Sequence, residues 1–146
     1  MAYETILAKG GRGKYSERVA GGAITPGMKL IITSSGTVTA DTAEGNSGTH
    51  FAREDSLQGN TIATAYASGD QVFIYTAQPG DEIYAWLKAG ENVGIGTELI
   101  SAGDGTLIAA ASAASATVIE QRFMALAALN LSASGAVATR LKVEVL

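Results

Sequence analysis

Ile24-Thr25-Pro26-Gly27-Met28-Lys29-Leu30-Ile31-Ile32-Thr33-Ser34-Ser35-Gly36-Thr37-Val38 reads as a β-hairpin. Pro26-Gly27 is a turn, because proline presets one turn torsion and glycine tolerates the positive φ that follows. Lys29 to Thr33 is a short strand, Ser34-Ser35-Gly36 a second turn, and Thr37 to Thr39 the returning strand. The pattern recurs as Val93-Gly94-Ile95-Gly96-Thr97-Glu98-Leu99-Ile100-Ser101-Ala102-Gly103-Asp104-Gly105-Thr106-Leu107. Ile24, Gly27, Leu30, Gly36, Thr37 and Val38 match Val93, Gly96, Leu99, Gly105, Thr106 and Leu107 at one offset of 69 positions, as from 27 to 96. Two copies are too few for a solenoid, which needs about three or more. They predict a pseudo-symmetric barrel or sandwich in which equivalent hairpins pack around one core.

Between the copies lies Phe51 to Gly80. It opens on the charged cluster Arg53-Glu54-Asp55, carries two spaced apolar residues, Leu57 and Ile62, and turns at Gly69-Asp70. Ser56 to Ala67 is a helical turn or a short irregular segment. Gln71 to Thr76 is a strand with Val72 and Ile74 on one face and Phe73 and Tyr75 on the other. After Pro79-Gly80, Ile83 to Lys88 repeats this design, with Tyr84 and Trp86 opposite Ile83, Ala85 and Leu87. A strand pair apolar on both faces lies between two layers or meets another subunit. Tyr84 and Trp86 therefore either complete one core or anchor a subunit contact. Arg53, Glu54 and Asp55 are expected to fix the junction between the hairpins, or a subunit contact.

Further out, residues 1–23 are rich in glycine and mix both signs of charge, which predicts a flexible arm able to order on a partner; residues 24–146 form a single β domain. Gly10-Gly11-Arg12-Gly13-Lys14 lacks the spacing of a phosphate-binding loop. Asp41 to His50 is polar and reads as a surface loop. Ala109 to Ala116 is a weak helix or a connection, Ile119 to Leu131 a long strand, and Ser132 to Gly135 a turn. Val137 to Leu146 closes the fold as a strand, with Leu141, Val143 and Val145 alternating against Arg140, Lys142 and Glu144. The expected fold is mainly β: a single compact barrel or sandwich with pseudo-repeated hairpins, at most one or two short helices and an extended N-terminal arm.

Composition narrows the function. A chain of 146 residues suffices for one domain with its own core. It contains no cysteine, which removes disulfides and thiolate chemistry. Charged residues are 16% of the chain, against roughly 25% in an average soluble domain, so part of the surface is expected to be covered by other subunits. The net charge of −4 argues against nucleic acid as a partner, because phosphate binding needs clustered Lys and Arg. The first ten residues lack the apolar run of a secretory signal, and the uncharged window Phe123 to Thr139 is interrupted by Asn130, Ser132, Ser134 and Gly135, so no membrane span is expected. Asp70, Asp81 and Asp104 each sit beside glycine at predicted turns, where the side chain accepts from the backbone. His50 is the only histidine and has no second ligand nearby in sequence. Asp41 and Asp104 lack the dense alternation of oxygen ligands of a calcium loop. No catalytic group, metal site or cofactor site is expected.

The central residues resemble the capsid decoration, or cement, proteins of tailed bacteriophages. The resemblance is carried by Ala52-Arg53-Glu54-Asp55, Leu57-Gln58-Gly59, Ile62, Tyr66, Gly69-Asp70 and Val72, then Pro79-Gly80-Asp81-Glu82, Gly90, Asn92-Val93, Gly96 and Gly103-Asp104-Gly105-Thr106-Leu107. It implies a β-tulip-like protein that trimerises, sits on the outside of the expanded shell in a virion assembled in the host cytoplasm, and bridges neighbouring major capsid protein subunits. It also implies that the N-terminal arm, here Glu4, Thr5, Ile6, Leu7, Lys9, Arg12, Lys14 and Tyr15, orders against the capsid by adding a strand to it. On that view, deleting residues 2–15 leaves fold and trimer intact. The alternatives are a virion module that binds glycan or a host receptor through Tyr84 or Trp86, and a biotinyl- or lipoyl-like barrel. The second resembles Val93 to Leu107 but has Ser34-Ser35-Gly36 and Gly103-Asp104-Gly105 where the acceptor lysine of that family would stand.

Overall fold

The computed structural model describes residues 5–114 and 118–146. The first half of the chain contains β1 (Leu7–Lys9), β2 (Lys14–Val19), β3 (Leu30–Ile32), β4 (Val38–Ala40), β5 (His50–Ala52) and β6 (Gln71–Thr76). The second half contains β7 (Glu82–Leu87), β8 (Asn92–Val93), β9 (Glu98–Ser101), β10 (Leu107–Ala109), β11 (Phe123–Ala125), β12 (Leu129–Asn130) and β13 (Thr139–Val145). Among the described residues the helical content is two single 3-10 turns, Ser56–Gln58 and Ala110–Ser112. The mainly β class and both hairpins are as expected.

The second half is a closed five-stranded barrel in the order β7-β10-β9-β11-β13, with β13 returning to β7. The first half repeats this circuit. β2, β6 and β5 form one sheet and β3 and β4 a hairpin, joined by the bridges Lys29↔Phe51 and Ala20↔Val38. Each link has its counterpart: Leu30↔Ala40 matches Leu99↔Ala109, Lys29↔Phe51 matches Glu98↔Met124, and the parallel pair Ala20↔Val38 matches Leu87↔Leu107. The molecule is thus two copies of one five-strand barrel.

This corrects the expectation of a single core. One buried cluster contains Ala20, Ile24, Leu30, Val38, Ala52, Val72 and Ile74. The other contains their counterparts Leu87, Val93, Leu99, Leu107, Ala125, Leu141 and Val143. Each hairpin is closed by the strands of its own half, and so small a barrel encloses little more than its own inward side chains. Ile6, Phe51, Ile62 and Tyr75, all from the first half, join the second cluster and make one body of the two barrels.

The N-terminal segment is extended, but from Ile6 onward it is part of the fold, not a free arm. Ile6 is fully buried, β1 pairs with β7 through Leu7↔Ile83, and β2 pairs along its whole length with β6. Deleting residues 2–15 would therefore remove a core side chain and two positions of β2. Three further expectations change. Gln71–Thr76 and Glu82–Leu87 do not pair with each other; they are equivalent in neither circuit, since β6 corresponds to β13 and β7 to β2. Ile119 to Leu131 is two short strands, because the chain leaves β9 and β13 after Ala125 to pair with β8. Ala110–Ser112 is a 3-10 turn within the expected weak helix, of which residues 115 and 116 lie outside the described ones.

Gly27 and Gly96 occupy equivalent turns with φ of +97° and +89°. A Cβ on Gly27 would stand 2.9 Å from the Tyr84 carbonyl oxygen and 3.3 Å from Trp86 Cδ1, whereas one on Gly96 meets nothing within 4 Å. Gly96→Ala is expected to cost about 1 kcal/mol, for backbone strain alone. Gly27→Ala should cost about 3 kcal/mol, strain plus overpacking between the barrels. Equal shifts of the two urea midpoints would refute this difference.

Candidate interaction surfaces

In the charged cluster after β5, Glu54 holds the N-terminal segment and Asp55 the turn that follows. Glu54 is buried and accepts from the Ile6 backbone N–H at 3.0 Å, so its carboxylate ties the N-terminal segment to the first barrel. Arg53 lies 3.9 Å from Glu54 and stacks 4.6 Å above the Tyr15 ring, while its Nε is buried without a hydrogen-bond partner. Asp55 caps the 3-10 turn by accepting from the Gln58 N–H.

A second network was not visible in sequence. Tyr75 donates its hydroxyl to Asp81 at 2.5 Å and accepts from the Gly13 N–H at 2.9 Å; Asp81 also accepts from the Gln78 N–H at 2.9 Å. Burial and then the bond to Asp81 push the Tyr75 hydroxyl up to about 12, so it remains a donor. The network holds the Lys9–Lys14 loop against the turn before β7. Asp81 is thus a turn residue, as expected, and also a clamp. Asp70 and Asp104 accept from the Ala67 and Thr106 N–H groups at their own turns.

The expected arm residues divide by exposure. Glu4 lies outside the described residues. Ile6 is in the core, Leu7 pairs with Ile83, and Thr5 binds the Leu7 carbonyl. Lys9, Arg12, Lys14 and Tyr15 are exposed, and no described ion pair involves the three cations. Lys9 and Arg12 border a shallow cleft of about 500 Å³ between Lys9–Arg12 and Pro79–Asp81.

Trp86 is engaged within the chain. Its indole N–H donates to the Pro26 carbonyl at 2.9 Å, and the Arg140 guanidinium lies 4.2 Å from its ring centroid. Arg140 also donates to Pro26 O at 3.0 Å and Ile62 O at 2.5 Å. Tyr84 is half-buried beside the second cluster, and its backbone N–H bonds Ile6 O. Trp86 therefore lies between the two barrels, the first of the two options that apolar faces on both sides left open.

Asp41, expected in a surface loop, is fully buried. It accepts from Lys29 Nζ at 2.5 Å, Ser101 Oγ and Asn46 Nδ2 at 2.9 Å, and Lys29 also reaches Ser47 O at 3.0 Å. The missed signal was Lys29 itself, a lone charge inside the apolar run Met28 to Ile32. The Asp41 oxygens are occupied by these donors, and the described residues contain no group of three ligand side chains that could hold a metal. His50 is part-buried, 2.7 Å from Thr76 Oγ1, and burial followed by the charges of Lys29 and Arg18 holds its imidazole below the usual histidine range. No described helix is long and apolar enough to cross a membrane.

Comparison with protein-family models gives no match, and no curated protein is significantly similar to the chain.

Proposed function

We propose that this protein is a structural component of a phage virion, which binds the outer surface of the expanded capsid as a homotrimer and cements neighbouring major capsid protein subunits. The observation that carries this reading is the ordered series from Ala52-Arg53-Glu54-Asp55 to Gly103-Asp104-Gly105-Thr106-Leu107, which resembles capsid decoration proteins. Many of its residues are the ones that build this scaffold: Glu54 ties down Ile6, Tyr66 donates to the Arg53 carbonyl, and Asp81 clamps the Lys9–Lys14 loop. Two packed barrels with few charges and, among the described residues, no group of side chains that could hold a metal suit a cementing role. The exposed Lys9, Arg12 and Lys14, with Tyr15 half-exposed beside Arg53, are the part of the expected arm that faces outward to meet the capsid. With Arg140 on its ring and the Gly27 turn at its edge, Trp86 offers no open platform for a glycan.

Co-sedimentation tests the reading. The protein should pellet with expanded capsids and not with unexpanded ones, and failure to bind either would refute it. Arg12→Glu combined with Lys14→Glu is expected to weaken binding to expanded capsids about tenfold, an effect that shrinks at high salt because exposed charges are screened. Unchanged binding would remove this edge from the capsid contact.

A further inference from the structure

The two barrels touch through a contact that is not reciprocated. The tip of the second hairpin docks on the first barrel: Gly105 O accepts from the Lys29 N–H at 2.9 Å, and Ser101 O accepts from the Gly45 N–H. The Pro26-Gly27 turn of the first barrel packs on Trp86 and Arg140 of the second. A twofold relation would repeat both contacts in reverse, placing Gly36 on Glu98 and Ile95-Gly96 on Val19 and Gln71. Neither occurs. A Cβ on Gly36 would meet only Arg18, and one on Gly96 would meet nothing within 4 Å.

The chain therefore carries one used copy and one unused copy of the same pair of surfaces. Three of the eight exposed large apolar side chains among the described residues stand on the unused copies: Ile95, at the position of Pro26, is 75% exposed, and Val19, at the position of Trp86, is 44% exposed. Ile32, at the position of Ser101, is 42% exposed. Arg18 donates to Gly36 O at 3.1 Å, so a hairpin tip seated as Gly105 is seated would bring Arg18 beside Glu98, the counterpart of Lys29, whose carboxylate also pairs with Arg122 of its own chain.

We propose that copies of this chain associate head to tail, the Ile95-Gly96 turn of one seated on Val19 and Gln71 of the next and the Ser34–Gly36 tip of that second copy on the Glu98 edge of the first. The contact between chains repeats the contact between barrels within a chain. Such a heterologous interface leaves one surface open at each end of any short oligomer, and a closed ring is the arrangement that satisfies all of them. The inference stands on the repeat and needs no capsid. A trimer of this kind would place six similar barrels around one axis.

The absence of cysteine gives a clean test. Val19→Cys and Ile95→Cys are each made singly and oxidised mildly, alone and mixed. A covalent dimer from the mixture and none from either variant alone is the expected result. Dimers from each variant alone, as readily as from the mixture, would mean a self-complementary contact and overturn the proposal. In sedimentation the wild type should be a closed oligomer, Val19→Asp and Ile95→Asp monomers, and their equimolar mixture a dimer that grows no further. A monomeric wild type, an open-ended series of sizes, or single Asp variants that still assemble as the wild type does would each refute it. A ring that forms but fails to bind capsids would overturn the capsid reading and leave this one standing.

Discussion

Asp41→Ala is expected to cost about 3–5 kcal/mol of folding stability, the range for leaving one partner of a buried ion pair uncompensated. Lys29 and Asp41 side chains are both fully buried and 2.5 Å apart. Without the carboxylate, the ammonium retains only the Ser47 carbonyl, and Ser101 of the second barrel loses its acceptor. Against a typical total stability of about 5–15 kcal/mol the loss is severe. Replacing both partners with apolar residues, Lys29→Met with Asp41→Leu, should recover most of it, because the desolvation cost leaves together with the attraction. Urea unfolding gives both values, and an Asp41→Ala loss below about 1 kcal/mol would contradict a buried pair. Acid should mimic the substitution. Burial raises the Asp41 pKa, but the bonds from Lys29 and Asn46 and the Lys29 charge outweigh it, so the net value is lowered from the usual 3.8. Its contribution is complete above that ordinary value and is lost as pH falls through the lower folded one.

Phe51→Ala should be comparably damaging, about 3–5 kcal/mol, through the cavity it leaves. Phe51 belongs to the first barrel by its strand but to the second core by its side chain, where it meets Phe123 edge-on at 5.6 Å and 80°. Its counterpart in the second barrel is Met124, which is only half-buried on β11. Met124→Ala is expected to cost about 1 kcal/mol, because a partly exposed side chain loses little burial. Calorimetric or urea unfolding of the two variants separates the cases, and similar losses would mean that the joint between the barrels is not where Phe51 acts. The contrast repeats that of Gly27 with Gly96: equivalent positions in the repeat differ only where one of them faces the other barrel.

Local signals were legible wherever the backbone or the alternation of side chains imposes them. The Pro26-Gly27 and Gly103-Asp104-Gly105 turns, the strand Gln71–Thr76 and the alternation of Leu141, Val143 and Val145 all follow from residue type and spacing, and the structure contains each. The arm from Ile6 onward is not legible as part of the fold because its strands, of three and six residues on either side of the glycine-rich Gly10–Gly13 stretch, are too short to show a period. Asp41 was misread because a polar residue beside a strand is ordinarily solvated, and only a partner distant in sequence makes its burial favourable.

By itself the sequence determined the class, the turns and the repeat: Leu30 and Leu99, or Val38 and Leu107, announce two equal hairpins because the same inward positions recur at the same spacing. Only the tertiary structure decided that each hairpin closes its own barrel, and that the two barrels meet head to tail and not face to face. Strand pairings such as Ala20↔Val38 and contacts such as Gly105 on Lys29 join residues far apart in the chain. Their free energy depends on which surfaces happen to oppose one another, a quantity that no local pattern of residues encodes.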